Sequence, residues 1–455
     1  MMYDLIIIGG GPAGYLAAER AGHAGMNVLL IEKKSVGGVC LNEGCIPTKT
    51  LLYSAKLLDG AVNGGKYGVN ASELNLDHAK VVARKDKVVR LLTGGVKSTL
   101  KAQKVTLIEG EGKLSGKCED GFCVEVAGQA HQGKKLLLAM GSVPALPPIQ
   151  GLQEALASGF ALTSREALEV KELPASLCVI GGGVIGLELA SYFCSAGTKV
   201  TVVEMLDHIA GENDKELSAL LQKNYEKKGI SFALSARVTE ITHNGVRYEK
   251  DGAEIFLETD AALVCIGRKP NTLNMGLESI GVTLERGAVV TDVHMLTNVQ
   301  NVYAAGDVNG KSMLAHTAYR EAEVAINHML GHSDLMRYTA IPSVIYTNPE
   351  LASVGETEAS AREKGYDVEV VTLPMRYSGR YLAENEGGDG ICKVIADKKY
   401  GVILGVQALS NYASEFIVAA GIFIELQTPI ERIKEIVFPH PTVAEILREA
   451  VFKLS

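Results

Sequence analysis

A chain of 455 residues is long enough for roughly two to four domains and a sizeable buried core. Hydrophobic residues make up 47% of it but no apolar run reaches membrane length, which argues against a membrane-spanning protein. Trp is absent and the net charge is −8, which argues against nucleic acid as a partner, since phosphate backbones call for basic faces and bases for stacking platforms. The chain enters a strand almost at once, with no basic n-region or apolar h-region ahead of it. A cytoplasmic protein is therefore expected, with most of the eight cysteines as thiols. No metal site is expected.

Leu5-Ile6-Ile7-Ile8 reads as a buried parallel strand. Gly9, Gly11, Pro12, Ala13 and Gly14 follow, then a helical pattern through Ala24, a closing Gly25 and a second strand from Val28 that ends at Glu32. Glycines so spaced after a strand permit a tight turn, backbone approach to a pyrophosphate and close helix packing, and the acid suits a ribose hydroxyl. Gly37 to Lys49 comes next, with Cys40, Cys45, Pro47 and Lys49. Pro47 fits the first turn of a helix running on through Leu51 and Leu52, which places Cys45 at a helix mouth where a thiolate is favoured. The stretch offers a disulfide that can open to one stabilised thiolate. Together the fingerprint, Glu32 and the cysteine stretch resemble the FAD-dependent pyridine nucleotide–disulfide oxidoreductases, over essentially the whole chain.

That resemblance implies an α/β fold: two Rossmann-like dinucleotide-binding domains, for FAD and NAD, plus a C-terminal α+β dimerisation domain. The expected boundaries are 1–147 (FAD, with the redox disulfide), 148–270 (NAD), 271–340 (FAD and central segment) and 341–455 (interface). Residues 53–105 carry helical patterns, including the charged Ala83–Arg90 stretch. Leu107–Gly112 reads as strand and turn, and by resemblance Gly112 approaches the FAD adenine. Cys118 and Cys123 repeat the spacing of the first pair but flank the turn signal Glu119-Asp120-Gly121-Phe122, so they read as a hairpin with cysteines near its tip. Leu136–Ser142 is a strand ending in small residues, and by resemblance Gly141 returns to the flavin phosphates. Pro144, Pro147 and Pro148 form a linker.

From Leu177 the fingerprint repeats. Residues 177–204 align without gaps on 5–32, matching Gly181, Gly183 and Gly186 to the first set and Glu204 to Glu32. The first site, running straight into the cysteines, should hold the flavin and the second a nicotinamide nucleotide. Glu204, reinforced by Asp207, favours NAD over NADP, because a carboxylate repels a 2′-phosphate. By resemblance Glu188 pairs with Lys49 beside the flavin ring, Val238 touches the NAD adenine and Gly267 and Arg268 belong to the nucleotide-side loop. Val302–Asp307 then returns to the flavin, with Asp307 at the ribityl hydroxyls and Met313–His316, including Ala315, below the ring.

Beyond about 341 strands and helices alternate without a fingerprint. Phe438–Glu445 holds His440 between two prolines with Glu445 five residues on, an arrangement that aims an imidazole and stabilises its charge. The resemblance implies that His440 is the base, supplied to the Cys40–Cys45 disulfide by the other subunit of a homodimer. It further implies oxidation of a dihydrolipoyl group carried by a protein of a 2-oxo-acid dehydrogenase or glycine-cleavage system, with NAD as acceptor. Reduction of glutathione or of mercuric ion is the alternative inside the family. Glu204 opposes the first, and the absence of paired cysteines in Val451–Ser455 opposes the second. A binding subunit docked on such an assembly is the alternative outside catalysis.

Overall fold

The computed structural model describes residues 2–455. Contacts divide the chain into two compact units, each returning to itself across long sequence gaps.

The first unit comprises the residues up to Thr50, Val82–Ala145 and Gly267–Arg337. Strand β1 (Met2–Ile8) leads into helix α1 (Pro12–His23) and strand β2 (Val28–Glu32). A one-turn helix α2 (Gly38–Asn42) precedes helix α3 (Cys45–Val62), whose residues from Leu51 belong to the second unit, and helix α4 (His78–Ala102), which belongs to the first unit from Val82, leads to β3 (Thr106–Glu109). Strands β4 (Gly112–Cys118), β5 (Gly121–Val126) and β6 (Gln129–Leu138) complete a sheet of order β3-β2-β1-β6-β5-β4, which the strand Val302–Ala304 joins beside β6. β1, β2, β3, β6 and Val302–Ala304 run parallel, which is why Leu5–Ile8 and Leu136–Leu138 read as unbroken apolar runs: both faces of the sheet are covered. Crossover helix α1 is rich in alanine on its buried side, where Ala17, Ala18 and Ala21 let it lie close to the sheet and to the helix Ala315–Met329. The helical pattern expected across 53–105 is interrupted. After Val62 the chain makes a short 3-10 turn (Gly64–Tyr67) and an open loop before α4, because Gly64, Gly65 and Gly68 disfavour a continuous helix.

The second unit comprises Leu51–Val81, Leu146–Ile266 and Tyr338–Ser455. Its five-stranded parallel sheet is built around Ser176–Ile180, flanked by Lys199–Val203 and Ala261–Val264. The crossover helix Val184–Ser195 packs its Leu187, Leu189, Tyr192 and Phe193 into the unit's largest core cluster. Beyond residue 341, Ser343–Ile345, Glu350–Gly355, Val402–Ser410, Ile391–Asp397 and Val368–Pro374 form an antiparallel sheet in that order. Helices Ala413–Glu425 and Glu445–Val451 share its hydrophobic core. Among the described residues no helix is long and apolar enough to cross a membrane.

Candidate active site

The first fingerprint closes as its spacing requires. Gly9 adopts φ +104°, where a Cβ would meet the Ala139 carbonyl oxygen, and its N–H donates to Ile31 O at 2.8 Å. Gly11 is the N-cap of α1, Pro12 its first residue, and Ala13 and Gly14 lie buried in its first turn. Glu32 is buried at the end of β2. Its carboxylate accepts the Gly10 N–H at 2.7 Å through one oxygen and the Lys34 N–H at 2.7 Å through the other. Each oxygen keeps a further lone pair, so the acid is already aimed and can still accept a ribose hydroxyl.

The chain then folds back, with Gly37 donating to Gly10 O at 2.8 Å. Gly37 and Gly38 both have positive φ, and Gly38 lies so close to Gly11 that a side chain would not fit between them. This turn launches α2, which carries Cys40. Asn42 stabilises it by donating to Val36 O at 3.1 Å and Gly38 O at 2.9 Å. The short helix and its asparagine brace were not legible in the sequence. Cys45 opens α3, as the Pro47 argument requires. Cys40 is half-buried and Cys45 exposed.

In this structure the two cysteines are thiols, not the disulfide expected of the oxidised pair. Cys40 holds its proton well above the usual thiol range, first because it hydrogen-bonds to Cys45, then because it is buried, with Lys49 acting in the opposite sense. Cys45 stands beside it at the helix mouth, where the unpaired N–H groups of the first turn favour a thiolate. Near the sulfurs Tyr15 of α1 and Tyr319 hydrogen-bond through their hydroxyls, and burial raises both above the ordinary phenol value.

Asp307 is held by a network the sequence did not disclose. Ser142 Oγ donates to Asp307, Arg268 Nε donates to Ser142 Oγ at 2.7 Å, and Arg268 Nη2 donates to Ser142 O at 2.8 Å. Burial lowers the Arg268 pKa, against the opposing charges of Asp307, Glu43 and Cys45. Arg268, assigned above to the nucleotide-side loop, thus sits in the first unit beside Asp307. From the other side Glu321, fully buried on the helix Ala315–Met329, accepts the Gly306 N–H at 2.6 Å. Ala315 is the first residue of that helix. Gly112 is buried at the start of β4, and Gly141 has φ +68° and accepts the Asn271 N–H.

The second fingerprint repeats the first. Gly181 also has φ +104° and donates to Val203 O at 2.9 Å. Gly183 is the N-cap of Val184–Ser195, with open space where a Cβ would stand, and Gly186 is buried in that helix. Glu204 accepts the Gly182 N–H at 2.6 Å and the Leu206 N–H at 2.8 Å. Asp207 pairs with His208 and Lys215. Val238 lies half-buried on the strand Ala236–Ile241 next to a bulge. Gly267 has φ +117° and accepts the Ala145 N–H in the first unit. Glu188 is buried and accepts the Tyr346 N–H at 2.9 Å within the second unit.

His440 Nδ1 is 2.9 Å from Glu445 Oε1, while Glu445 Oε2 accepts the Thr442 N–H at 2.8 Å. Burial opposes ionisation of Glu445, but the Thr442 N–H and the His440 imidazole together hold its carboxyl below the ordinary range. The His440 side chain is 78% exposed, so a substrate can reach the ring. Among the described residues no group of His, Cys, Asp and Glu is placed to hold a metal ion.

The Cys118–Cys123 hairpin forms as the turn signal predicts, β4 pairing with β5 through Cys118 opposite Gly121 and Cys123 opposite Gly116. The expectation of thiols fails here. The antiparallel pairing brings the two Cα atoms to 5.9 Å, within disulfide reach, and the sulfurs are bonded.

Two mirrored dinucleotide cradles, one leading into a dithiol, define a pyridine-nucleotide oxidoreductase that works through sulfur. The chain belongs to the pyridine nucleotide-disulphide oxidoreductase family, whose model matches residues 3–322, and its dimerisation domain matches residues 341–451. Its dihydrolipoyl dehydrogenase relatives and flavoprotein disulfide reductase neighbours use FAD and NAD(H). Among curated proteins the chain is 37% identical to the dihydrolipoyl dehydrogenase of Mycoplasma pneumoniae, covering 100% of this chain and 98% of that one. It is 38% identical to the dihydrolipoyl dehydrogenase of Geobacillus stearothermophilus, covering 98% and 95%. Among solved structures it resembles the HOCl-induced flavoprotein disulfide reductase RclA of Escherichia coli, with TM-score 0.88 and 29% identity over 100% of both chains. It also resembles LpdA of Mycobacterium tuberculosis, with TM-score 0.90 and 26% identity over 99% of both.

Proposed function

We propose that the chain acts as a dihydrolipoyl dehydrogenase, as a cytoplasmic homodimer that receives its substrate on a lipoyl-bearing protein of a 2-oxo-acid dehydrogenase or glycine-cleavage system. The observation that carries this reading is the Cys40–Cys45 pair, one cysteine on α2 and the other at the mouth of α3, in a chain whose full-length relatives bear that name.

The cradles fit the two dinucleotides. Each presents a glycine turn without side chains and an acid braced for a ribose hydroxyl, and Gly183 leaves open space in front of its helix N-terminus, where partial positive charge suits a pyrophosphate. Gly9, Gly11, Pro12, Ala13, Gly14, Glu32, Gly112, Gly141, Asp307 and Ala315 would hold FAD, and Gly181, Gly183, Gly186, Glu204 and Val238 would hold NAD. When bound, FAD and NAD supply hydride transfer from the dithiol to the nicotinamide.

The chain's own groups perform the sulfur chemistry. His440, aligned by Glu445, removes a proton from a substrate thiol. The substrate thiolate attacks Cys40 of the oxidised pair, the Cys40–Cys45 bond breaks, and a mixed disulfide with Cys40 forms while Cys45 leaves as thiolate. The second substrate thiol displaces Cys40, closing the lipoyl disulfide, and two electrons remain on the protein pair. In this reading His440 comes from the partner subunit, and Lys49, one turn along α3 from Cys45, supplies positive charge beside the flavin. Glu204 favours NAD.

The test is anaerobic NADH formation from free dihydrolipoamide and NAD, with NADPH plus oxidised glutathione as a parallel arm. Turnover with dihydrolipoamide and NAD alone is the expected result. Silence there, with NADPH-dependent glutathione reduction instead, would overturn the substrate and the role given to Glu204.

A further inference from the structure

We propose that Cys118–Cys123 is a second thiol–disulfide exchange site, separate from Cys40–Cys45, that accepts two electrons from small dithiols and returns them to small disulfides. The inference does not rest on the substrate proposed above.

The pair joins neighbouring antiparallel strands at the outer edge of the first unit's sheet, where β4 is the terminal strand. Both cysteines are half-buried and the turn between them exposes Glu119 and Asp120, so a small thiol can reach the sulfurs. The bond is not what makes the hairpin. β4 and β5 pair along their length, and Leu114, Phe122, Val124 and Val126 are buried in the unit's core on the same two strands. A bridge closing so short a loop also restricts the unfolded chain less than a long one would. A half-exposed disulfide on an edge strand whose hairpin is already held by strand pairing and core packing is placed to open and close by exchange with small thiols.

In the reductive step one thiolate of the dithiol attacks a sulfur of the pair, the Cys118–Cys123 bond breaks, and a mixed disulfide forms while the other cysteine leaves as thiolate and takes a proton. The dithiol's second thiol then displaces the remaining protein sulfur. The protein gains two electrons and two protons, and the dithiol becomes a cyclic disulfide. Oxidised glutathione reverses the change and is itself reduced to two thiols.

The experiment is differential alkylation with peptide mass mapping on the full-length, flavin-loaded protein. The protein is equilibrated first with oxidised glutathione and then with dithiothreitol, and alkylated while folded. We expect Cys118 and Cys123 to be protected after oxidation, labelled after reduction and protected again on reoxidation, with the same cycle in a Cys45→Ser variant. A Cys118→Ser/Cys123→Ser variant should keep wild-type dithiol turnover and lose one reducible disulfide from the thiol count. The proposal is overturned if both cysteines label after glutathione oxidation, if they stay protected in dithiothreitol while the protein is folded, or if Cys45→Ser stops the cycle.

Discussion

In the first fingerprint Gly9 donates to Ile31 O, Glu32 accepts the Gly10 N–H, and the returning loop donates from Gly37 to Gly10 O. In the second Gly181 donates to Val203 O, Glu204 accepts the Gly182 N–H, and the returning loop donates from Ala210 to Gly182 O at the same 2.8 Å. Up to that bond the two are near copies. Past it they part. The first loop lays Gly38 against Gly11 and winds α2, delivering Cys40 and then Cys45. The second leaves Gly183 open and runs to Asp214, which caps the helix Lys215–Lys227. Glycines and acid thus make a site for a dinucleotide in general, and the residues after the returning loop decide what chemistry is done there.

Disrupting the dithiol should have the largest effect. Cys45→Ser is expected to lower dihydrolipoamide turnover by about three orders of magnitude or more, as losing a nucleophilic partner does, with flavin absorbance retained. Loss of flavin in that variant would mean the stretch serves the first cradle structurally. The same substitution in each fingerprint should then separate the two sites. An alanine at Gly9 or at Gly181 must adopt φ near +104° and crowd a carbonyl oxygen, a strain of order 1–3 kcal/mol or more. Gly9→Ala should release flavin, measured by absorbance after gel filtration, whereas Gly181→Ala should keep flavin and raise the KM for NAD.

Glu445→Gln should follow, lowering turnover by about 10- to 100-fold while NADH oxidation by an artificial acceptor is unchanged. Because the Glu445 carboxyl is held below its ordinary value, its favourable interaction with His440 is complete above that ordinary value of 4.5 and is lost as pH falls through the lowered one. Turnover near neutral pH should therefore not reflect titration of Glu445. The smallest effect should come from the brace on the flavin side. Glu321→Ala removes the acceptor of the Gly306 N–H and should speed flavin loss by roughly 5- to 10-fold, the value of about one hydrogen bond, whereas Glu321→Gln, which keeps an acceptor oxygen, should stay near wild type.

What could be read from the sequence was local. Strand, glycine turn, helix and acid lie within a few dozen residues of one another, so their spacing carries their geometry, and Pro47 marked the helix mouth at Cys45 for the same reason. His440 and Glu445 met because they share one short loop. What stayed hidden depends on contacts across the chain. Arg268 meets Ser142 and Asp307 from three separate segments, Tyr15 meets Tyr319, and Glu321 meets Gly306 through a helix packed on α1. None of these pairs has a spacing to read. Residues 118–123 show the converse limit: spacing gave the hairpin, but the bond between its cysteines depended on strand register.

The bare contact between Gly38 and Gly11 has a consequence for how this protein can change over time. Two backbones that meet hydrogen to hydrogen leave no side chain through which drift could move one against the other. The distance from nucleotide cradle to dithiol is therefore insulated from substitution elsewhere, and a lineage can vary its surface, its core and even its partner while the gap its electrons must cross stays the same width.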